Sequence, residues 1–90
     1  MHKLKTVFVD RDGVINQERN DYVKSISELE ICPNVAKNIK LLKDAGFLVI
    51  VITNQSAVNR GIITHEMINQ IHNSIQEHLK KYGTFLDGFY

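Results

Sequence analysis

The sequence has a single cysteine, Cys32, and this scarcity excludes two common ways of stabilising a small chain. One cysteine can form neither an internal disulfide nor a structural metal site built from cysteines. No apolar run approaches the roughly 18 residues that a membrane span requires. A chain of 90 residues also buries only about 60–65% of the surface that its unfolded form exposes. We therefore predict a small globular unit with little core to spare.

A strong charge of either sign is also missing. Eleven basic residues stand against 10 acidic ones, which gives a formal net charge of +1. This balance provides no basic stripe for nucleic acid and no field that attracts an anionic membrane, so we predict neither as a partner. The start of the chain lacks the apolar length and the cleavage site of a signal peptide. A cytoplasmic location is the default expectation.

Apolar and polar segments alternate in a strand, helix, strand, helix, strand order. A short β-branched run predicts a first strand, and six consecutive apolar residues predict a second strand covered on both faces. Pro33 marks the start of the first predicted helix and Gly46 its end. Thr64 and Gly83 mark the start and the end of the second. The pattern predicts an α/β fold with a parallel, Rossmann-like sheet, truncated after the start of its third strand. The predicted segments are strand 4–9, loop or small hairpin 16–27, helix 33–45, strand 47–52, helix 64–82 and third-strand approach 85–90.

The second predicted helix carries an apolar stripe at Ile68, Ile71, Ile75 and Leu79. Three histidines of the same helix are assigned to its polar side: His65, His72 and His78. Their separations do not match the i, i+4 pair of a helical zinc site. We therefore interpret all three as solvated side chains without a metal.

Polar residues cluster where the first and second predicted strands end, at 10–16 and at 53–60. Ligands of parallel α/β sheets bind beyond the carboxyl ends of the strands. The position of both clusters therefore predicts an active site at that edge.

Asp10 and Asp12 are the first of these polar residues, and two neighbouring carboxylates repel each other unless a cation is shared or one is protonated. Magnesium would satisfy the first condition, because it binds through one or two carboxylates, water and substrate phosphate. The second condition would provide a proton donor beside a nucleophile. The short pattern D-x-D-G alone is more typical of a solvated acidic turn.

The longer strings V-F-V-D-R-D-G-V-I-N at 7–16 and V-I-T-N-Q-S at 51–56 resemble the nucleophile and phosphate-binding motifs of the haloacid dehalogenase (HAD) superfamily. More narrowly, D-R-D-G-V-I-N with T-N-Q-S-x-x-x-R-G is similar to the D-glycero-D-manno-heptose-1,7-bisphosphate phosphatase and histidinol-phosphate phosphatase group. The resemblance extends over essentially all 90 residues, so we expect residues 1–90 to be the N-terminal part of one HAD-like phosphatase domain.

The resemblance implies a role for individual residues. Asp10 would be the nucleophile and a magnesium ligand, and Asp12 would be the general acid and base whose backbone carbonyl also contacts the metal. The Thr53 hydroxyl and the Asn54 backbone N–H would bind the phosphoryl oxygens, and Arg60 would bind a second phosphate. The remaining residues of the implied substrate pocket are Glu18, Arg19, Asn20, Asp21, Gln55 and Ser56.

Two elements of the superfamily site are missing from these 90 residues: the lysine of the third motif and the later magnesium carboxylate. Two hypotheses therefore stay open. In the complete domain, the function is magnesium-dependent hydrolysis of a small phosphorylated metabolite through an aspartyl-phosphate. Alternatively, the chain is a truncated, catalytically incompetent fragment that binds phosphate or metal. We expect zinc only in a longer chain, and self-association through an open sheet edge.

Overall fold

The computed structural model describes residues 5–19, 22–53 and 56–90, with the main chain only at 56 and 57. Three strands and three helices follow in the order β1, α1, β2, α2, α3, β3, with one 3₁₀ turn before α1. Their bounds are β1 Lys5–Asp10, the 3₁₀ turn Ile26–Glu28, α1 Val35–Asp44, β2 Phe47–Ile52, α2 Ser56–Asn59, α3 His65–Lys80 and β3 Gly88–Phe89. Within this part of the chain no helix has the length and apolar character to cross a bilayer.

The three strands form one parallel sheet in the order β1-β2-β3. The β1 and β2 strands pair along their full length, and their last paired residues are Asp10 and Ile52. The β3 strand is short and pairs through Gly88 and Phe89 with the middle of β2. The predicted parallel α/β sheet with a third strand near the end of the chain is therefore confirmed.

The helices begin and end where local chemistry requires. The Thr64 hydroxyl accepts a hydrogen bond from the Met67 N–H at 3.1 Å and caps α3. Asn34 precedes α1 with a left-handed φ of 64°, a conformation that asparagine tolerates better than most residues. Gly46 follows α1 with a φ of 92°, which only glycine adopts freely. The chain therefore reverses sharply into β2.

Helices cover one face of the described sheet. Val49 and Val51 are fully buried and share the face on which α1 and α3 pack, whereas Ile52, on the opposite face, is 45% exposed. Phe8 of β1 lies on that second face and is 59% exposed. For the described residues, the prediction of a strand covered on both faces is wrong, because both long helices pack on the same side.

The segment after β1 is a closed loop. Its two ends meet in an antiparallel bridge between Asn16 and Ile31, supported by a hydrogen bond from the Cys32 N–H to the Ile15 carbonyl at 2.9 Å. Ile15 and Val23 are almost fully buried and anchor the loop in the core. The predicted loop or small hairpin is therefore a loop whose described parts are fixed by buried anchors.

Asp87 connects three elements just before β3. Its carboxylate accepts hydrogen bonds from Lys43 Nζ of α1 and from the Val49 N–H of β2, both at 2.7 Å through Oδ2. Its own N–H donates to the Val49 carbonyl at 2.9 Å. Burial alone would raise the pKa of Asp87, but the hydrogen bonds from Lys43 and Val49 outweigh it and lower that pKa. The ionised carboxylate therefore stabilises the fold.

His72 corrects the assignment of all three α3 histidines to solvent. Its imidazole is only 9% exposed and stacks on Phe89 of β3 with ring centroids 3.9 Å apart. Burial, together with the nearby Arg11 charge and against the opposing effect of Asp12, lowers the pKa of His72 from 6.5 to about 4. The interpretation failed because residue 72 lies four residues after Ile68 and three before Ile75, which places it beside the apolar stripe.

We expect Asp87→Ala to lower the free energy of unfolding by about 1–2 kcal/mol, because hydrogen bonds to a charged group are lost from a side chain that is only 16% exposed. Urea unfolding measures the change. The control is Asp44→Ala, which removes the exposed Lys40–Asp44 pair of α1 and should change stability by less than about 0.5 kcal/mol. Equal effects of the two substitutions would contradict the role of Asp87.

We expect acid to destabilise the chain through His72. Between pH 6.5 and about 4 the unfolded chain binds a proton at His72 and the folded chain does not, so the free energy of unfolding falls as the pH is lowered through this range. His72→Gln cannot titrate and should lose less stability over the same range in urea unfolding. His78→Gln, on the same helix, is the matched control and should follow the wild type. A parallel decline in His72→Gln would contradict the prediction.

Candidate active site

A cavity of about 440 Å³ opens at the carboxyl ends of β1 and β2. Three carboxylates and two guanidinium groups line it, so it is strongly polar. The register of the sheet explains its position, because Asp10 and Ile52 end the paired strands together. Its described lining residues are Asp10, Arg11, Asp12, Glu18, Arg19, Tyr22 and Ile52.

Asp10 is the last residue of β1, and its side chain is exposed. It lies opposite Ile52 and therefore on the open face of the sheet, the face that the two long helices do not cover. No hydrogen bond or ion pair joins its carboxylate to another described residue, whereas Asp12 is held on two sides. Asp10 is therefore the carboxylate that is available to an incoming group.

Asp12 is fixed by two donors on the same oxygen. Arg11 Nη2 donates to Asp12 Oδ1 at 3.1 Å, and Asn16 Nδ2 donates to the same atom at 2.9 Å. The second oxygen, Oδ2, receives only a longer contact of 3.4 Å from Arg11. The Asp12 side chain is 28% exposed, whereas that of Arg11 is 8% exposed. The carboxylate is therefore held at the cavity wall by partners that lie deeper than itself.

A tight turn between Arg11 and Asn16 creates this arrangement. The Arg11 carbonyl accepts hydrogen bonds from the Ile15 and Asn16 N–H groups at 2.8 and 3.1 Å. Gly13 adopts a φ of 86° and donates its N–H to the Asn16 carbonyl at 2.8 Å. A side chain at position 13 would strain the backbone in this conformation. Glycine is therefore required for the turn that places Asn16 beside Asp12.

The donor set of the cavity fits magnesium. Asp10, Asp12 and Glu18 line one cavity, and magnesium prefers oxygen ligands, of which one or two carboxylates suffice. The Asp12 carbonyl takes part in none of the turn and loop backbone hydrogen bonds within residues 5–19, 22–53 and 56–90. The same ranges contain no cluster of three or more His, Cys, Asp or Glu residues that could hold a metal ion. Protein side chains of the described residues alone therefore do not form a complete metal site.

Thr53 lies at the same edge of the sheet as Asp10 but lines a neighbouring cavity, between α3 and the end of β3. Its N–H donates to the Tyr90 carbonyl at 2.7 Å, and its hydroxyl donates to the same oxygen. The structure thus places Asp10 and Thr53 at one edge of the sheet and directs the Thr53 hydroxyl towards β3. Its role in binding phosphate stays a prediction.

The other implied pocket residues separate into four groups. Glu18 and Arg19 line the Asp10 cavity, and Arg19 also pairs with Glu28 at 3.2 Å. Arg60 is exposed after α2 and is not among the residues that line this cavity. Ser56 begins α2. The predictions for Asn20, Asp21, Asn54 and Gln55 fall outside the described residues.

Sequence reasoning missed three residues of the site: Arg11, Asn16 and His72. Arg11 Nη1 lies 3.4 Å from His72 Nε2, so α3 reaches the loop that carries Asp12. Asn16 is fully buried. The sequence did not indicate this burial, because a polar residue that precedes a polar segment is expected at the surface. The signal for His72 was its position beside the apolar stripe of α3. No periodicity in the sequence indicates that Arg11 or Asn16 belongs to the site.

Three known proteins are similar to this chain in sequence or in fold. The D-glycero-beta-D-manno-heptose-1,7-bisphosphate 7-phosphatase of Haemophilus ducreyi is 37% identical over 87 residues, which cover 96% of this chain and 47% of that protein. The D,D-heptose 1,7-bisphosphate phosphatase of Bordetella bronchiseptica, solved with magnesium and phosphate, superposes with a TM-score of 0.91 at 33% identity over 97% of this chain and 49% of that one.

The third relative is a HAD-like phosphatase of Mesorhizobium loti, with a TM-score of 0.83 at 31% identity over 92% of this chain and 39% of that one. No family model matches the chain. The chain spans about half the length of the curated relatives it matches. Sequence and fold agree: heptose bisphosphate phosphatases are homologous to this chain over about half of their length, and its fold is that of HAD-like phosphatases.

Proposed function

We propose that the protein hydrolyses a small phosphomonoester, of the sugar bisphosphate class, with Asp10 as nucleophile and Asp12 as general acid and base. The observation that carries this proposal is that two neighbouring carboxylates differ in their exposure and in their hydrogen-bond partners. Asp10 is exposed and unpaired within the described chain, whereas Asp12 is fixed by Arg11 and Asn16. A nucleophile has to be accessible and an acid has to be oriented, and these positions meet both needs.

The proposed reaction has two steps. A carboxylate oxygen of Asp10 forms a bond to phosphorus as the bond from phosphorus to the leaving oxygen breaks, and Asp12 gives that oxygen a proton. Water then attacks the phosphorus of the aspartyl-phosphate while Asp12 accepts its proton, which releases phosphate and restores Asp10. Bound magnesium would neutralise phosphoryl charge beside Asp10 and the Asp12 carbonyl.

The lining of the cavity and the names of the relatives support this substrate class. Glu18 offers a carboxylate that can accept hydrogen bonds from sugar hydroxyl groups, and Arg19 offers a guanidinium that binds phosphate. Tyr22 adds a half-buried ring to the same wall. A phosphorylated sugar would use all three. Histidinol phosphate is the second candidate substrate and would need only one phosphate site.

The remaining parts of the proposal rest on the sequence motifs and on the open edge of the sheet. Arg60 would bind a second phosphate, and the segment at 53–56 would bind the transferring phosphoryl group. Self-association through β1 is also part of it, because β1 pairs on one side only within the described sheet and exposes Phe8. The alternative function, binding of phosphate or metal without turnover, predicts a protein that binds magnesium and phosphate but never forms a phosphoenzyme.

We expect Asp10→Asn to abolish turnover and phosphoenzyme formation in the full gene product, because an amide cannot form an acyl phosphate and is a poor magnesium ligand. Release of inorganic phosphate measures turnover, and acid quenching followed by hydroxylamine cleavage detects the acyl phosphate. Asp44→Asn, in an exposed position on α1, is the control and should retain full activity. Retention of a tenth of wild-type turnover by Asp10→Asn would rule out Asp10 as the nucleophile.

We expect Asp12→Asn to slow hydrolysis of an alkyl phosphate by roughly 10²–10⁴-fold, the usual contribution of a general acid or base. An activated aryl phosphate should lose less, because its leaving group needs no proton. The ratio of the two rates, measured under saturating substrate, isolates proton donation from folding and binding. Equal losses for the two substrates would contradict the assignment of Asp12.

A further inference from the structure

Arg11 is a buried arginine whose two terminal nitrogens reach opposite partners. Nη2 donates to Asp12 Oδ1 at 3.1 Å, and Nη1 lies 3.4 Å from His72 Nε2. Its Nε is buried and has no hydrogen-bond partner among the described residues. The orientation of the guanidinium therefore depends on Asp12 at one end and on His72 at the other.

His72 is itself held firmly. Its ring lies parallel to Phe89, with an interplanar angle of 9° and centroids 3.9 Å apart. Burial lowers its pKa to about 4, so the ring is neutral at neutral pH. Arginine has no acceptor, so the contact requires His72 Nε2 to be the unprotonated nitrogen and Nδ1 to carry the proton. The imidazole thus presents a fixed lone pair to Arg11.

The geometry at Asp12 shows what this arrangement achieves. Arg11 and Asn16 both donate to Oδ1, which leaves Oδ2 as the oxygen with the weaker contact. A proton for a leaving group would therefore be carried on Oδ2. If Arg11 lost its second partner it could rotate, and the direction of Oδ2 would depend on the Asn16 hydrogen bond alone.

We propose that His72 is a positioning residue, which fixes Arg11 through the Nη1–Nε2 contact and thereby orients Asp12 Oδ2 for proton transfer. The proposal rests on the function assigned above to Asp12. It gives α3 a part in the reaction although His72 touches neither substrate nor Asp12. It also accounts for an arginine between two aspartates whose side chain is only 8% exposed and reaches α3.

The contact itself can be tested without any activity. In the wild-type 90-residue chain, ¹⁵N shifts of His72 should report the tautomer with a proton on Nδ1, and the Arg11 Nη protons should exchange slowly with water. His72→Phe keeps a ring for Phe89 but removes the acceptor, and should make the Arg11 protons exchange at the rate of an exposed arginine. His72→Gln restores an acceptor and should recover slow exchange. The Nε2-protonated tautomer in the wild type would overturn the proposal.

The consequence for catalysis is measured in the full gene product. We expect His72→Phe to lower kcat for an alkyl phosphate about ten- to a hundredfold at unchanged KM, the scale of a small misplacement of a catalytic group. The rate with an activated aryl phosphate should change little, and His72→Gln should recover most of the loss. His78→Phe is the matched control, since His78 contacts Tyr82 on the same helix, away from Arg11.

Asp12→Asn in the same assay separates the two proposals. If Asp12→Asn discriminates between alkyl and aryl substrates but His72→Phe slows both equally or neither, the positioning role fails and the proposed function stands. If Asp12→Asn shows no discrimination, the proposed function fails at Asp12 and the positioning role fails with it. Discrimination by both variants, with rescue by His72→Gln, supports both.

Discussion

The pairing of β1 with β2 is the constraint on which the site depends. Six residue pairs run in parallel register from Lys5 and Phe47 to Asp10 and Ile52. Side chains alternate between the faces of a strand, so a slip of one residue would move Asp10 to the face packed by helices and Val9 to the open face. The buried Val49 and Val51 of β2 fix the register, because they have to face α1 and α3. Packing of the core thus decides where the nucleophile points.

The same alternation explains why Arg11 is buried. Its N–H donates to the Ile52 carbonyl at 3.1 Å, which continues the β1–β2 ladder by one residue. Arg11 therefore points to the face opposite Asp10, where α3 presents His72. The chain then turns at Gly13 and brings Asn16 back to Asp12. Asp10 thus points to the open face of the sheet, and the next residue, Arg11, points to the face on which the helices pack.

Much of the fold could be predicted from the sequence, because it depends on local signals. The β2 strand, the Thr64 cap and the apolar stripe of α3 were all readable from periodicity or capping chemistry. The carboxyl-end position of Asp10 and Asp12 followed from the order of strands and helices. The coverage of β2 was misjudged, because a continuous apolar run does not tell how many helices pack on each face.

The contacts that hold Arg11 and Thr53 could not be predicted, because they join residues that lie far apart in the chain. His72 is 61 positions from Arg11, and its burial depends on the short β3 strand bringing Phe89 against α3. Likewise, the Thr53 hydroxyl contacts the Tyr90 carbonyl, a partner that no motif spacing indicates. Periodicity places a residue on a face of its own element, but only the packing of two elements decides what that face meets.

The cost of this polar cluster is itself informative. Buried polar groups destabilise a protein unless their hydrogen bonds are complete, and well-packed apolar residues often serve stability as well or better. Within the described chain, Arg11 Nε and Asn16 Oδ1 are buried without partners, so the cluster is incompletely satisfied. A small protein buries little apolar surface that could offset this destabilisation. The three side chains that bear it (Arg11, Asn16 and His72) either hold Asp12 or hold the residue that does. The cluster is therefore better explained by the orientation it gives to one carboxylate than by any stability it adds.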